Sequence, residues 1–186
     1  MDSIDAGRER QKELTGPGDS VLNSRKTNAM TGKTADQWFS EYGECHQNKT
    51  NKQIHWLCVP LIVASILGLL WDVPTPDFMR RIPFLNWSTL IVAASLIFYF
   101  RLSLPLAIGM LIFSIGVIGV IASFESLNIA PVWQLSLLVF VLAWIGQAIG
   151  HRIEGKKPSF FADLTFLLIG PIWLLSALYK RLGIAY

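Results

Sequence analysis

The chain has 186 residues, enough for one domain, and 52% of them are hydrophobic while only 16% are charged. Ordinary soluble domains carry about 25% charged residues, so a free-standing soluble globule is a poor fit. The net charge of +3 comes without a dense Lys/Arg array, which excludes nucleic acid as the main partner, and two cysteines with no CxxC exclude a disulfide framework.

Charge is unevenly placed: residues 1–53 are polar and most of 54–179 is apolar, as expected for helices in lipid. Residues 1–30 hold no apolar stretch and hence no secretory signal. Residues 1–33 read as a disordered tail or an added extension, with Met30 as a candidate second start, and 34–186 as the integral membrane domain. Thr34-Ala35-Asp36-Gln37 has the form of a capping box and predicts a helix over 34–47. Trp38, Tyr42 and Cys45 share one face of it, with Phe39 and His46 beside them. Such a helix lies on the bilayer surface or packs on the domain.

Residues 47–51, QNKTN, break that helix, and Asn51 is placed to cap the next one. A first span is expected over 52–71, with Trp56 and Trp71 at its two interfaces. Residues 72–83 hold three prolines, Asp77 and Arg80-Arg81 and form a loop. A second span over 87–100 is short unless it begins at Ile82, and 101–105 is a turn. The third, 106–124, contains Gly109, Gly116 and Gly119, which permit close helix packing. The fourth covers 132–150, and the fifth covers 160–179 with an interruption at Gly170-Pro171. No internal repeat is visible. The expected fold is all-α: a polytopic membrane helical bundle of about five spans plus an N-terminal amphipathic helix.

Counting crossings brings the start of span one and the end of span four to the same side. Those two places hold every histidine in the chain, His46, His55 and His151. Lys49, Lys52, Arg101, Arg152, Lys156 and Lys157 fall on that side, against Arg80, Arg81, Lys180 and Arg181 on the other, so the histidine side is expected to be cytoplasmic.

Gln147, His151 and Glu154 lie at i, i+4 and i+7, one face of helix four, with Trp144 extending the stripe. His151 and Glu154 at i, i+3 can converge on one ion. Gly155 and Pro158 then end the helix. His46 and His55 are nine residues apart, opposed on one unbroken helix but able to face each other across the break. Three histidines and a carboxylate suit non-haem iron or zinc. His46, His55, His151 and Glu154 are therefore candidate ligands, with Glu154 and Gln147 also candidate catalytic residues. Asp163 is a further ligand, an orienting partner, or simply a carboxylate at a helix start. Arg152, Lys156 and Lys157 meet anionic headgroups or a substrate carboxylate. Gly32-Lys33-Thr34 is not a phosphate-binding loop, because position 27 is Thr where that motif needs Gly.

Two stretches, EYGECHQNKTNKQIHWLCVP (41–60) and QAIGHRIEGKKPSF (147–160), resemble the signatures of the 2-hydroxy fatty acid dioxygenase family, small membrane proteins of fungi and bacteria. The resemblance runs over about residues 35–180. It implies an iron(II)-dependent dioxygenase, with O2 as co-substrate, that shortens a long-chain 2-hydroxy fatty acid by one carbon. In fungi this α-oxidation serves sphingoid-base breakdown at the endoplasmic reticulum, and the bacterial counterpart would sit in the inner membrane. The resemblance further implies that His46, His55 and His151 bind the iron, and Glu154 matches the acidic position of the motif. The acyl tail is expected among spans one, four and five. A zinc-dependent membrane lipid amidase or hydrolase, with Asp163 and Glu154 as ligand and base, and a non-enzymatic membrane scaffold remain as alternatives. Homo-oligomerisation is left open.

Overall fold

The computed structural model describes residues 33–156 and 165–186. The expectations placed on residues 1–30, Lys157, Pro158, Phe160 and Asp163 lie outside the described residues. Among those described there are seven helices and no strand. They are α1 (Ala35–Glu44), α2 (Lys49–Trp71), α3 (Asp77–Arg80), α4 (Trp87–Leu102), α5 (Leu104–Ser126), α6 (Val132–Glu154) and α7 (Phe166–Leu182).

Contacts divide the chain into Met1–Gln37 and Trp38–Tyr186. In the first unit the capping box is formed. The Thr34 amide donates to Gln37 Oε1 at 2.9 Å and the Gln37 amide to Thr34 Oγ1 at 3.3 Å. The helix it starts ends at Glu44, three residues earlier than expected, and its buried side chains are Phe39 and Tyr42.

The second unit is a helical membrane bundle. α2, α5 and α6 are each 23 residues long and apolar enough to cross a membrane. At about 1.5 Å per residue each spans ~34 Å, more than the ~30 Å hydrocarbon core. α4 and α7, of 16 and 17 residues, are shorter apolar helices. α4 is cut short by Ser103, whose extended backbone (φ −167°, ψ 127°) ends α4 while its hydroxyl receives the Leu106 amide at the start of α5.

α2 and α6 pack antiparallel along most of their length, and glycines set their spacing. A Cβ on Gly146 would lie 2.6 Å from Cys58 Sγ, one on Gly150 would collide with Asn51 Oδ1, and one on Gly68, at the other end, would collide with Ser136. Gly146 and Gly150 form a small-xxx-small pair, the spacing that lets two helix backbones approach. Of the glycines expected to do this in α5, only Gly109 meets a neighbour, Tyr179 and Leu175, while Gly116 and Gly119 have nothing within 4 Å. A buried cluster of Leu67, Ile121 and Val132, flanked by Val92, Val117 and Phe124, closes the bundle at the end away from the histidines.

The direction of α7 differs from expectation. Pro171 and Leu167 share a cavity wall with Val63 and Ile66, Leu174 and Leu178 face Pro60 and Trp56, and the Arg181 guanidinium lies 5.5 Å over the Trp56 ring. On the other flank the Tyr179 hydroxyl donates to the Pro105 carbonyl at 3.0 Å. α7 therefore runs antiparallel to both α2 and α5 and finishes where they begin. Lys180 and Arg181 belong to the histidine end, not to the opposite side as crossing parity suggested. Hydropathy shows that a segment is buried but carries no direction.

Candidate metal centre

The three histidines come from three local structures. His46 follows the end of α1, where the chain turns, and its amide donates to the Gly43 carbonyl at 3.0 Å. The turn ends at Asn48, whose side chain accepts from the Thr50 and Asn51 amides and caps α2. The cap is thus Asn48 rather than Asn51, which lies fully buried in the first turn and a half. His55 sits one turn further along α2, and His151 lies in the last turn of α6, which Gly155 closes in the left-handed region (φ 73°).

His46 and His55 are each 1% exposed and His151 7%. One ring nitrogen from each lies within 4.8 Å of the others. His46 Nδ1 is 2.6 Å from the Tyr42 carbonyl and His55 Nδ1 is 2.9 Å from the Asn51 carbonyl. A carbonyl only accepts, so both Nδ1 atoms carry hydrogen, and each neutral ring then presents a lone pair at Nε2. The two Nε2 atoms face each other at 3.0 Å. Two lone pairs at that distance repel unless a cation lies against both. A proton does not serve at neutral pH, because burial pushes the His46 imidazole down from 6.5 to about 4. A metal ion does: nitrogens bonded to one first-row ion at ~2.1 Å are about 3 Å apart when they subtend a right angle. His151 adds a buried Nδ1 with no hydrogen-bond partner among the described residues, a mark of an atom awaiting a ligand. The donor set therefore fits a divalent transition metal.

Glu154 is engaged elsewhere. Its carboxylate accepts from the Gln47 amide at 2.7 Å, the Asn48 amide at 2.9 Å and Asn51 Nδ2 at 3.0 Å. It spans from the C-terminus of α6 to the N-terminus of α2, where free amides and the positive end of the helix dipole favour a carboxylate. Among the described residues, the ligand atoms that group together are those of His46, His55 and His151.

Gln147, one turn before His151, is buried and lines a cavity of about 80 Å³ together with Tyr42, His55 and His151. Below them the wall is apolar, made by Val59, Ile62, Val63 and Ile66 of α2 and by Phe166 and Leu167. The lining residues of α2, α6 and α7 come from the first, fourth and fifth spans of the sequence reading. Arg152 is exposed, and the Lys156 ammonium donates to the Glu44 carbonyl at 2.8 Å. Neither lines the cavity.

Sequence reasoning passed over Tyr42 and Trp173. The Tyr42 ring stacks on His46 with centroids 4.2 Å apart and planes at 14°, and Trp173 lies 5.6 Å from the same imidazole. Burial raises the Tyr42 hydroxyl well above its usual range, so it remains a neutral phenol. The one signal for Tyr42 was its place four residues before His46, where its carbonyl can reach back to the ring. Trp173 gave none.

The family described as 2-hydroxy-palmitic acid dioxygenase Mpo1-like matches residues 32–182. No curated protein and no solved structure matches the chain.

Proposed function

The chain belongs to the Mpo1-like family of 2-hydroxy-palmitic acid dioxygenases, and we propose that it is an iron(II)-dependent dioxygenase that shortens long-chain 2-hydroxy fatty acids by one carbon. The observation that carries this reading is the pair of Nε2 lone pairs on His46 and His55, joined by His151, at the head of an apolar cavity. His46, His55 and His151 would hold the metal, and iron(II) bound there would supply the redox chemistry.

The net reaction balances without another reductant. The bond between C1 and C2 of the acid breaks. C1 leaves as carbon dioxide, giving up one electron, while C2 passes from alcohol to carboxylic acid, giving up three. O2 accepts all four, and one water is released.

The chain's own residues do the positioning. The carbonyls of Tyr42 and Asn51 fix the tautomers of two ligands. Glu154 ties the turn carrying His46 to the helix carrying His151, so its role is positioning rather than ligation. Gln147 presents an amide beside His55 and His151, where it orients the 2-hydroxyl or carboxylate of the substrate. Arg152 and Lys156, at the end of α6 that carries His151, draw an acid headgroup toward the histidines. The apolar wall excludes water and holds the first part of the tail, each methylene contributing about 0.8 kcal/mol relative to water.

The site opens to the cytoplasm on this reading. With α7 returning, Lys49, Lys52, Arg101, Arg152, Lys156, Lys180 and Arg181 gather at the histidine end, against Arg80 and Arg81 at the other. Cytoplasmic ends carry that excess.

The test is oxygen uptake by anaerobically purified, iron-loaded protein given 2-hydroxypalmitic acid. One O2 consumed per acid shortened by one carbon is expected. Turnover without O2, or with zinc in place of iron, would favour the hydrolase reading.

A further inference from the structure

The cavity below the histidines does not end at Ile66. A second cavity, of about 240 Å³, shares Val63, Ile66, Leu167 and Pro171 with it and continues between α2, α4, α5 and α7. Pro171 is the junction. A proline inside a helix leaves the carbonyl four residues back without its amide and bends the axis, and here that residue is Leu167, which lines both cavities. The Tyr99 hydroxyl donates to the neighbouring Leu168 carbonyl at 3.0 Å and pins this turn of α7 to α4.

The second cavity is as apolar as the first, with Ser95 and Ser114 as its small side chains. Its far wall is made by Leu67 and Val92, which belong to the packed cluster closing the bundle. From His55 to Leu67, α2 rises about 18 Å at 1.5 Å per residue. That is the reach of about fourteen carbons in an extended chain at ~1.3 Å per carbon.

We propose that the two cavities form one tail channel that gauges substrate length. The aliphatic tail of a 2-hydroxy acid passes Pro171, enters the space between α4 and α5, and stops against Leu67 and Val92. A headgroup at the histidines and a fourteen-carbon tail make about sixteen carbons, the length of the palmitic acid in the family's description, so the new element is the path the tail takes. Ser114, buried on α5, is a specificity-determining residue, because a larger side chain there shortens the channel. The head end of this inference rests on the proposed function, whereas the path of the tail does not.

Two measurements test it. The first compares kcat/KM for sixteen-carbon and ten-carbon 2-hydroxy acids. Ser114→Phe lowers that ratio about tenfold, whereas Ile112→Phe, on the exposed face of the same helix, leaves it unchanged. An unaltered ratio in Ser114→Phe protein that still binds its metal overturns the channel. The second needs neither turnover nor a variant. A sixteen-carbon 2-hydroxy acid with a terminal diazirine is photolysed on wild-type protein in nanodiscs, with and without unlabelled acid. Competable labelling of 91–99 or 110–114 supports the channel, and labelling elsewhere or nowhere overturns it. Labelling there without oxygen uptake by any acid would keep the channel and sink the dioxygenase.

Discussion

His46 and His55, on either side of a chain turn, point their Nε2 atoms at one another across 3.0 Å while both Nδ1 hydrogens are held by backbone carbonyls. The backbone has thus chosen the tautomers and left two lone pairs for one cation. One divalent ion should bind per chain, and His55→Ala should weaken binding more than a hundredfold. Metal analysis after dialysis against a chelator of known affinity measures this. Full occupancy in the variant would remove His55 from the ligand set.

Metal-free protein should lose stability in acid. The His46 imidazole lies at about 4 in the folded chain because it is buried, against 6.5 when unperturbed. The unfolded chain therefore binds more protons between those values. Stability from this group is fully present above about pH 6.5 and falls as pH drops toward 4, by at most about 1.4 kcal/mol per pH unit. Thermal unfolding of chelated protein in detergent between pH 7 and 4.5 should show the slope, and His46→Gln should reduce it. Equal slopes in the two proteins would contradict the assignment.

Glu154→Ala should cost about 1–3 kcal/mol through the lost charge-assisted bonds and about tenfold in metal affinity through the loosened turn. Glu154→Gln should weaken binding less. In both, the X-ray absorption spectrum of the bound metal should match wild type, since the carboxylate is occupied by Gln47, Asn48 and Asn51. A changed coordination shell would show that Glu154 ligates the ion after all.

Helix spacing gives a further contrast. Gly150→Ala should destabilise by about 1–3 kcal/mol, because the new methyl group meets Asn51 and pushes α2 from α6. Gly116→Ala and Gly119→Ala, with open space around them, should be neutral or slightly stabilising. Thermal unfolding of the three variants in one detergent would settle the order.

The return of α7 predicts labelling from one side. Single cysteines at 49 and 181, in a cysteine-free background, should react with a membrane-impermeant maleimide on the same face of sealed vesicles, and one at 78 on the other. Opposite labelling of 49 and 181 would restore a full fifth crossing.

Apolar blocks and their punctuation were enough to place every long helix, and the parity of four crossings was enough to bring His151 beside His46 and His55. Directional features were hidden. The spacing of His151 and Glu154 puts both at one helix end. It does not say that the Gln47 and Asn48 amides and the Asn51 side chain bond to the carboxylate. Asn48 and Asn51 are equally good caps by identity, and only the position of the turn chose between them. Sequence pointed to the glycines of α5 for close packing, and only their neighbours revealed Gly146 and Gly150 as the pair against α2. The side to which α7 returns depends on its contacts with Trp56 and Pro105, distant in the sequence.

Because α7 ends at the histidine face, a tail channel that closes on Leu67, as proposed above, would address a single leaflet. On the proposed function, an acid resident in the far monolayer would have to flip before it was processed, and the shortened product would return to the monolayer from which its precursor came. Supply by transbilayer movement would then govern which lipids are consumed, independently of the chemistry.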